Sequence, residues 1–159
     1  MQEVSVIIPN YNGAAYLEGV LSSLEQQDFK NFETILVDNG STDGSIAIVT
    51  EKFSWVHIVE LSDNFGFSRA VNEGIYASGA PYVLLLNNDT EVDKSFVGEM
   101  LAAIKRHKKA FSCSARMICY HERSKLDDAG NYYCALGWAF ASGKGKDVHT
   151  YEREERIFT

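Results

Sequence analysis

Short β-branched runs recur along the chain at residues 4–8, 34–37, 56–59 and 82–86, and a segment with helical spacing follows each one. That alternation predicts βαβ units. In the first connecting segment Leu17, Val20, Leu21 and Leu24 stand at i, i+3, i+4 and i+7, the apolar stripe of a helix lying on a sheet. A second helix is expected to start near Ser41, Thr42 and Asp43, whose side chains can cap free N–H groups, with Ile46, Val49 and Phe53 on its inner face. A third covers about 67–77. A fourth sets Val97, Met100, Leu101 and Ile104 at the same spacing, ahead of a fifth strand at about 110–115. Four such crossovers predict an α/β fold with a Rossmann-like, largely parallel, doubly wound sheet over residues 1–116.

Past Met117 the rhythm is lost. Aromatic and glycine residues mix through 131–145 and charges crowd 152–156, so residues 117–159 read as hairpins or loops, the incomplete start of an acceptor-side region. Ile157, Phe158 and Thr159 look like a strand that should continue, which reads as a C-terminal truncation. Such a truncation would leave a sheet edge open to self-association as a homo-oligomer. Pro9 and Pro81 fall at a strand end and a strand start, where a missing N–H is tolerated.

Composition narrows the picture. With 159 residues and 45% hydrophobic content the chain can build one real core, and it has no apolar run of the ~18 residues that would suggest a membrane span. A net charge of −7 argues against nucleic acid as a partner and against broad attraction to anionic lipid. On that reading Lys105, Arg106, Lys108 and Lys109 mark a solvated helix end. Three cysteines, Cys113, Cys119 and Cys134, form no CxxC pair and suit a reducing cytoplasm, with peripheral attachment at the inner face of a membrane compatible with it. With His121 they could gather around zinc, but the irregular spacing favours buried, inert thiols.

In open α/β sheets ligands bind beyond the carboxyl ends of the strands, so the chemistry is sought there. The successive strand ends carry Pro9-Asn10-Tyr11-Asn12-Gly13, Asp38-Asn39-Gly40-Ser41-Thr42-Asp43, Asp63-Asn64-Phe65-Gly66-Phe67 and Asn87-Asn88-Asp89. A pyrimidine ring offers one N–H between two carbonyls, which Asp38 or Asn39 can accept while Tyr11 covers the ring or ribose. Asp89 can face a diphosphate only through a divalent cation, and hard oxygen ligands favour Mg2+ or Mn2+. Taken singly, each cluster is better read as a turn or a helix cap. Together on one sheet edge they are better explained by one binding crevice.

The segments VSVIIPNYNG at 4–13, ETILVDNGSTDGS at 33–45, NFGFSRAVNEGI at 64–75 and YVLLLNNDTEVDKSF at 82–96 resemble the ordered signatures of the family 2 inverting glycosyltransferases, and within them the rhamnosyltransferase-like branch. The resemblance covers roughly the first hundred residues. It implies a glycosyltransferase A fold and a donor that is a uridine- or thymidine-type nucleotide-diphosphate sugar. It also implies hexosyl transfer, rhamnosyl in that branch, to a glycan or lipid-linked acceptor in cell wall or polysaccharide synthesis. By position it implies Pro9 and Tyr11 at the base and ribose, Asp38 or Asn39 on the base, and Asn88 with the metal ligand Asp89 at the diphosphate. The glycine-rich segment from Asn64 to Asn72, with Gly66, Arg69 and Asn72 in it, would lie beneath the phosphates or donor sugar. Asn39 stands where many members have a second aspartate, and Asn87 and Asn88 replace acidic residues.

Two other readings use the same strand ends. A nucleotidyltransferase would want a basic loop after the first strand, and residues 9–13 hold no lysine or arginine. A non-catalytic, receiver-like nucleotide sensor would want an acidic pair there, which is also lacking. Gly143-Lys144-Gly145-Lys146 lacks the spacing and hydroxyl of a phosphate-binding loop. Inversion requires a general base, which the family resemblance places in an acidic pair well downstream of the metal loop. The pairs present, Asp127-Asp128 and Glu154-Glu155, read as solvated carboxylates, so the base is expected beyond residue 159 and the chain alone is expected to be inactive.

Overall fold

The computed structural model describes residues 2–133 and 138–154. These form two compact units, residues 1–102 and 103–159. In the first, β1 (Val4–Asn10), α1 (Ala14–Glu25), β2 (Phe32–Asp38), α2 (Ser45–Lys52), β3 (His57–Glu60), α3 (Phe67–Ala77) and β4 (Tyr82–Leu85) follow in order, and α4 (Phe96–Arg106) starts within it. All strand pairs are parallel and the sheet order is β3-β2-β1-β4. The near-continuous burial of β1 and β2 is what a parallel sheet covered on both faces requires.

Strand alternation sorts the core. Ile7, Ile35 and Val37 pack with Ala70 of α3, and Val59 and Leu61 border that cluster. Helix and strand come so close that a methyl on Gly74 would lie 2.4 Å from Ile7 Cγ2. Val6, Ile8 and Leu36 point to the other face and are fully buried, as is the α1 stripe Leu17, Val20, Leu21 and Leu24. Each of these side chains contributes about 1.5–3 kcal/mol by leaving water. Gln27, also fully buried, donates from Nε2 to the Ser23 and Asp93 carbonyls and accepts from the Val97 N–H, which ties the end of α1 to the start of α4.

The second unit holds two short antiparallel pairs, β5 (Met117–Ile118) with β6 (Leu126–Asp128) and β7 (Asn131–Tyr133) with β8 (Ala139–Ala141), then a 3-10 turn at Val148–Thr150. The expected fifth strand at 110–115 is a correction: no strand forms there, and three crossovers rather than four build the sheet. Ala-Phe-Ser-Cys-Ser-Ala offers one large apolar side chain, too little to fix a strand by burial, and Phe111 stays exposed. The thiols are a second correction: Cys113, within this open segment, is exposed and Cys119, just beyond it, half-exposed, while Cys134 lies outside the described residues. Among the described residues no three His, Cys, Asp or Glu side chains gather to hold a metal ion by themselves, and no helix is long and apolar enough to cross a membrane.

Asp43 starts two helices. Its Oδ2 accepts the Ala14 N–H at 2.8 Å and its Oδ1 accepts the Ser45 N–H at 3.1 Å, the first residues of α1 and α2. Desolvation pushes its carboxyl up, but the Ser45 hydroxyl and the Ala14 and Ser45 N–H groups outweigh it and hold the group below its ordinary 3.8. Asp43→Ala is expected to destabilise the fold by about 1–2 kcal/mol, the range for a lost cap. A carboxyl lowered by folding stabilises fully above its unfolded value and loses that contribution as pH falls through the folded one. The melting-temperature gap between parent and variant is therefore expected to be full at neutral pH and to close below about pH 3.8. A gap that persists unchanged into that acid range would refute the role.

Candidate functional site

The strand order reverses between β1 and β4, the point at which an open α/β sheet forms its ligand crevice. Asn10, the last residue of β1, is buried at 2% exposure there, on the face that Val6 and Ile8 occupy lower down. Its Nδ2 donates to Asp38 Oδ1 at 2.9 Å and to Ser41 Oγ at 3.2 Å, and its Oδ1 accepts Asn88 Nδ2 at 2.8 Å. Its backbone carbonyl accepts the Asn39 N–H at 2.8 Å. One carboxamide thus fastens the ends of β1 and β2 to the loop after β4. Gly13 leaves room for this: a methyl there would lie 2.1 Å from Asn88 Nδ2 and 2.4 Å from Asn10 Oδ1.

The first two loops lock together around Asn12, which has φ 50°. Its N–H donates to Ser41 Oγ and its Oδ1 accepts the Thr42 N–H, so neighbouring bonds hold a left-handed conformation that asparagine tolerates. Asp38 Oδ2 accepts the Ser41 N–H at 2.9 Å, which leaves both Asp38 oxygens engaged and the side chain 3% exposed. Asn39 binds the third loop: Oδ1 accepts the Phe65 N–H at 3.0 Å, and Nδ2 donates to Asn64 Oδ1 and the Gly66 carbonyl. Gly66, with φ 86° and ψ 164°, starts α3 in a region open to glycine.

These loops wall a cleft of about 450 Å³. Pro9, Asn10 and Tyr11 line it from the end of β1 and the loop after it, Asn39 from the loop after β2, Asn64, Gly66, Phe67 and Ala70 from the loop before α3 and its first turn, and Asn87, Asn88 and Asp89 from the loop after β4. The structure therefore brings Pro9, Tyr11, Asn39, Gly66, Asn88 and Asp89 together in one lining. It does not bring Asp38, Arg69 or Asn72 to the lining. Asp38 is held beneath the wall by the bonds described. Arg69 and Asn72 are exposed on α3, and Arg69 Nε pairs with Glu73 Oε1 at 2.6 Å. Asn10 and Asn87 stand in the strand-end clusters without an assigned role, and Asn64 and Phe67 only as part of the segment expected beneath the phosphates or donor sugar. The available signal for Asn10 was its position continuing the Val6, Ile8 alternation, where a buried amide demands partners.

Among the described residues the lining holds one carboxylate, Asp89, and no lysine, arginine or histidine, so these residues offer an anion no positive charge. A depression of equal volume between α1 and residues 91–94, lined by Glu18, Ser22, Ser23 and Lys94 among others, lies away from the strand ends; Glu18 there is paired with Lys52. In the second unit Asp128 Oδ1 accepts the Gly130 N–H, Asp127 pairs with Lys144, and Glu154 pairs with Arg106 and His107. Glu155 lies outside the described residues.

Comparison with known proteins identifies this arrangement. Residues 5–154 match the family described as glycosyl transferase family 2. The chain is 32% identical over 127 residues to TuaG of Bacillus subtilis, a glycosyltransferase assigned to teichuronic acid biosynthesis, covering 78% of this chain and 50% of that one. The crystal structure of Staphylococcus aureus TarS 1–349 with UDP-GlcNAc matches with a TM-score of 0.63 at 26% identity, over 74% of this chain and 38% of that one. A mannosyltransferase of Pyrobaculum calidifontis, solved with GDP-Man and Mn2+, shares the fold at TM-score 0.58 and 24% identity, over 74% and 35% of the two chains. The chain spans about half the length of its Bacillus relative and less of the others. With a family match across nearly all of its length and a parallel sheet like that of TarS, the chain belongs to glycosyl transferase family 2 and has the glycosyltransferase A fold.

Proposed function

We propose that residues 1–116 bind a uridine- or thymidine-type nucleotide-diphosphate sugar, with Mg2+ or Mn2+, as the donor side of an inverting hexosyl transfer. The observation that carries this reading is a strand-end cleft with a buried carboxamide, Asn39, in one wall and a carboxylate, Asp89, in another, with no cationic side chain among the described lining residues. Asn39 rather than Asp38 is the base reader, because Asn39 lines the cleft and Asp38 lies outside the lining, bound to Asn10 and Ser41 beneath it. An amide oxygen has two lone pairs, and Phe65 N–H takes one, which leaves one for a pyrimidine N–H. Tyr11 and Pro9 supply the flat apolar surface for the ring and ribose.

One carboxylate does not hold a divalent ion alone. The donor set fits a hard cation that takes Asp89 on one side and diphosphate oxygens and water on the others. Such an ion would neutralise the diphosphate and stabilise it as leaving group. Asn88, fixed through Asn10, keeps the Asp89 loop in register with the base-reading wall. Arg69 receives no role, since Glu73 holds it and it does not line the cleft.

The names of TuaG and TarS support a cell-wall polymer, a glycan or lipid-linked chain, as acceptor, and the LNND-type motif supports a rhamnosyl donor. Asp127, Asp128 and Glu154 are each engaged in turn or ion-pair contacts, so none is assigned as general base. The 159 residues are proposed to bind donor without transferring it. Sugar turnover by this chain alone would return Asp127 and Asp128 to candidacy.

Calorimetry with nucleotide diphosphate and manganese tests the metal assignment. Asp89→Ala is expected to lose the metal-dependent binding while stability stays within about 0.5 kcal/mol, as at exposed sites generally. Parent-like affinity in the variant would sink it. The base reader is tested on the parent chain, where uridine or thymidine diphosphate is expected to bind more tightly than guanosine diphosphate by about 1–3 kcal/mol, the cost of an unpaired buried polar group. Equal affinities would remove Asn39 from that role. Gly13→Ala has an accessible backbone conformation, so its lesion is the clash at Asn10 and Asn88 alone. It is expected to weaken nucleotide binding at least ten-fold in a folded protein, about 1.4 kcal/mol, and undiminished binding would show that the Asn10–Asn88 link does not serve the cleft.

A further inference from the structure

Helix α4 ends at Arg106 and the chain turns at once: the Ala110 N–H donates to the His107 carbonyl at 2.7 Å, and Phe111 follows with its side chain fully exposed. Within 105–111 stand Lys105, Arg106, His107, Lys108 and Lys109, in a chain whose net charge is −7. Cations in the last turn of a helix are explained by its dipole and unpaired carbonyls, which accounts for Lys105 and Arg106. It does not account for Lys108 and Lys109. They lie beyond the helix, are exposed, and make no hydrogen bond or ion pair among the described residues. Nor does it account for a phenyl ring left in water two residues later.

Glu154 sharpens the contrast. It lies in the same compact unit and accepts from both Arg106 Nη1 and His107 Nε2, the latter at 2.9 Å. The Arg106 charge is thus partly neutralised, while those of the lysines beside Phe111 are not. A compact cationic turn with an apolar ring at its end offers the two signals that reversible attachment to an anionic membrane surface requires: charge for the headgroups and an apolar group for the acyl boundary. The net charge does not oppose this at contact, because repulsion from the rest of the chain is screened beyond about 10 Å. Nucleic acid is the poorer fit, since backbone tracking spreads cations along a groove rather than crowding them into one turn.

We propose that residues 105–111 form a docking patch for an anionic lipid bilayer, with Lys108 and Lys109 at the headgroup phosphates and Phe111 inserted beside them. The patch shares no residue with the donor cleft, so this reading stands or falls separately from the proposed function. Flotation of the purified chain with phosphatidylcholine vesicles containing about 30% phosphatidylglycerol, an anionic surface of the required kind, is the test. Binding is expected to these vesicles and not to pure phosphatidylcholine, and to weaken with salt. Lys108→Gln with Lys109→Gln is expected to lower the partition coefficient about twenty-five-fold, roughly five-fold per charge. Phe111→Ser is expected to lower it while keeping the salt dependence, and Glu154→Gln to raise it, with circular dichroism and melting unchanged in the lysine and phenylalanine variants. Equal binding to neutral vesicles, or unchanged partition in the double lysine variant, would overturn the proposal. So would variants that lose affinity for single-stranded RNA but not for vesicles, or a Phe111→Ser change in sedimentation from dimer to monomer with lipid partition unaltered.

Discussion

The cleft depends on one buried carboxamide. Parallel strands end independently of one another, and nothing in the ladder fixes how their following loops meet. Asn10 fixes it by donating to Asp38 and Ser41 on one side and accepting from Asn88 on the other. An aspartate would place a second carboxylate against Asp38, and a leucine would orphan buried Asp38 at about 1–3 kcal/mol and release half-buried Ser41 and Asn88. The requirement spreads outward: Gly13 must lack a side chain where Asn10 and Asn88 meet, and Asn12 must adopt positive φ for its N–H to reach Ser41.

The same constraint sets the electrostatics. Asparagines at 10, 39, 64, 87 and 88 line the cleft with dipoles that can satisfy one another in the absence of ligand, whereas a row of carboxylates would repel. The wall therefore holds its shape with Asp89 as its single charge. On the proposed reading a divalent cation would meet the diphosphate across Asp89, and the amides around it add no further charge to repel either one.

The sequence made the helices legible, because the stripes Leu17 to Leu24 and Val97 with Leu101 carry the 3.6 period on their own. The four polar strand ends were legible as a group for the same reason that they form a cleft: topology places all of them on one edge. What periodicity could not supply was side-chain direction. Asp38 and Asn39 are adjacent and equally polar, yet Asp38 sits under the wall, bound to Asn10 and Ser41, and Asn39 in it, bound to the third loop. Arg69 matched a family pattern, but the i,i+4 carboxylate of Glu73 takes its Nε. The segment at 110–115 has strand-like composition without the apolar alternation that burial needs, so Phe111 and Cys113 lie open.

Local rules are broken mainly at the cleft. The non-glycine residue with positive φ among the described residues is Asn12, on the loop after β1, and Gly66 takes a conformation closed to other residues at the third loop. Three of the buried polar side chains, Asn10, Asp38 and Asn39, sit within or directly under the wall, and all three are hydrogen-bonded. By contrast the buried polar side-chain atom left without a partner among the described residues, Thr34 Oγ1, lies lower in β2, four residues before Asp38. Strain and desolvation that only contributed to stability would gain nothing from being gathered on one rim. Gathered there and satisfied by one another, they hold a shape that the apolar core could not, with polar atoms presented to a cleft instead of turned inward.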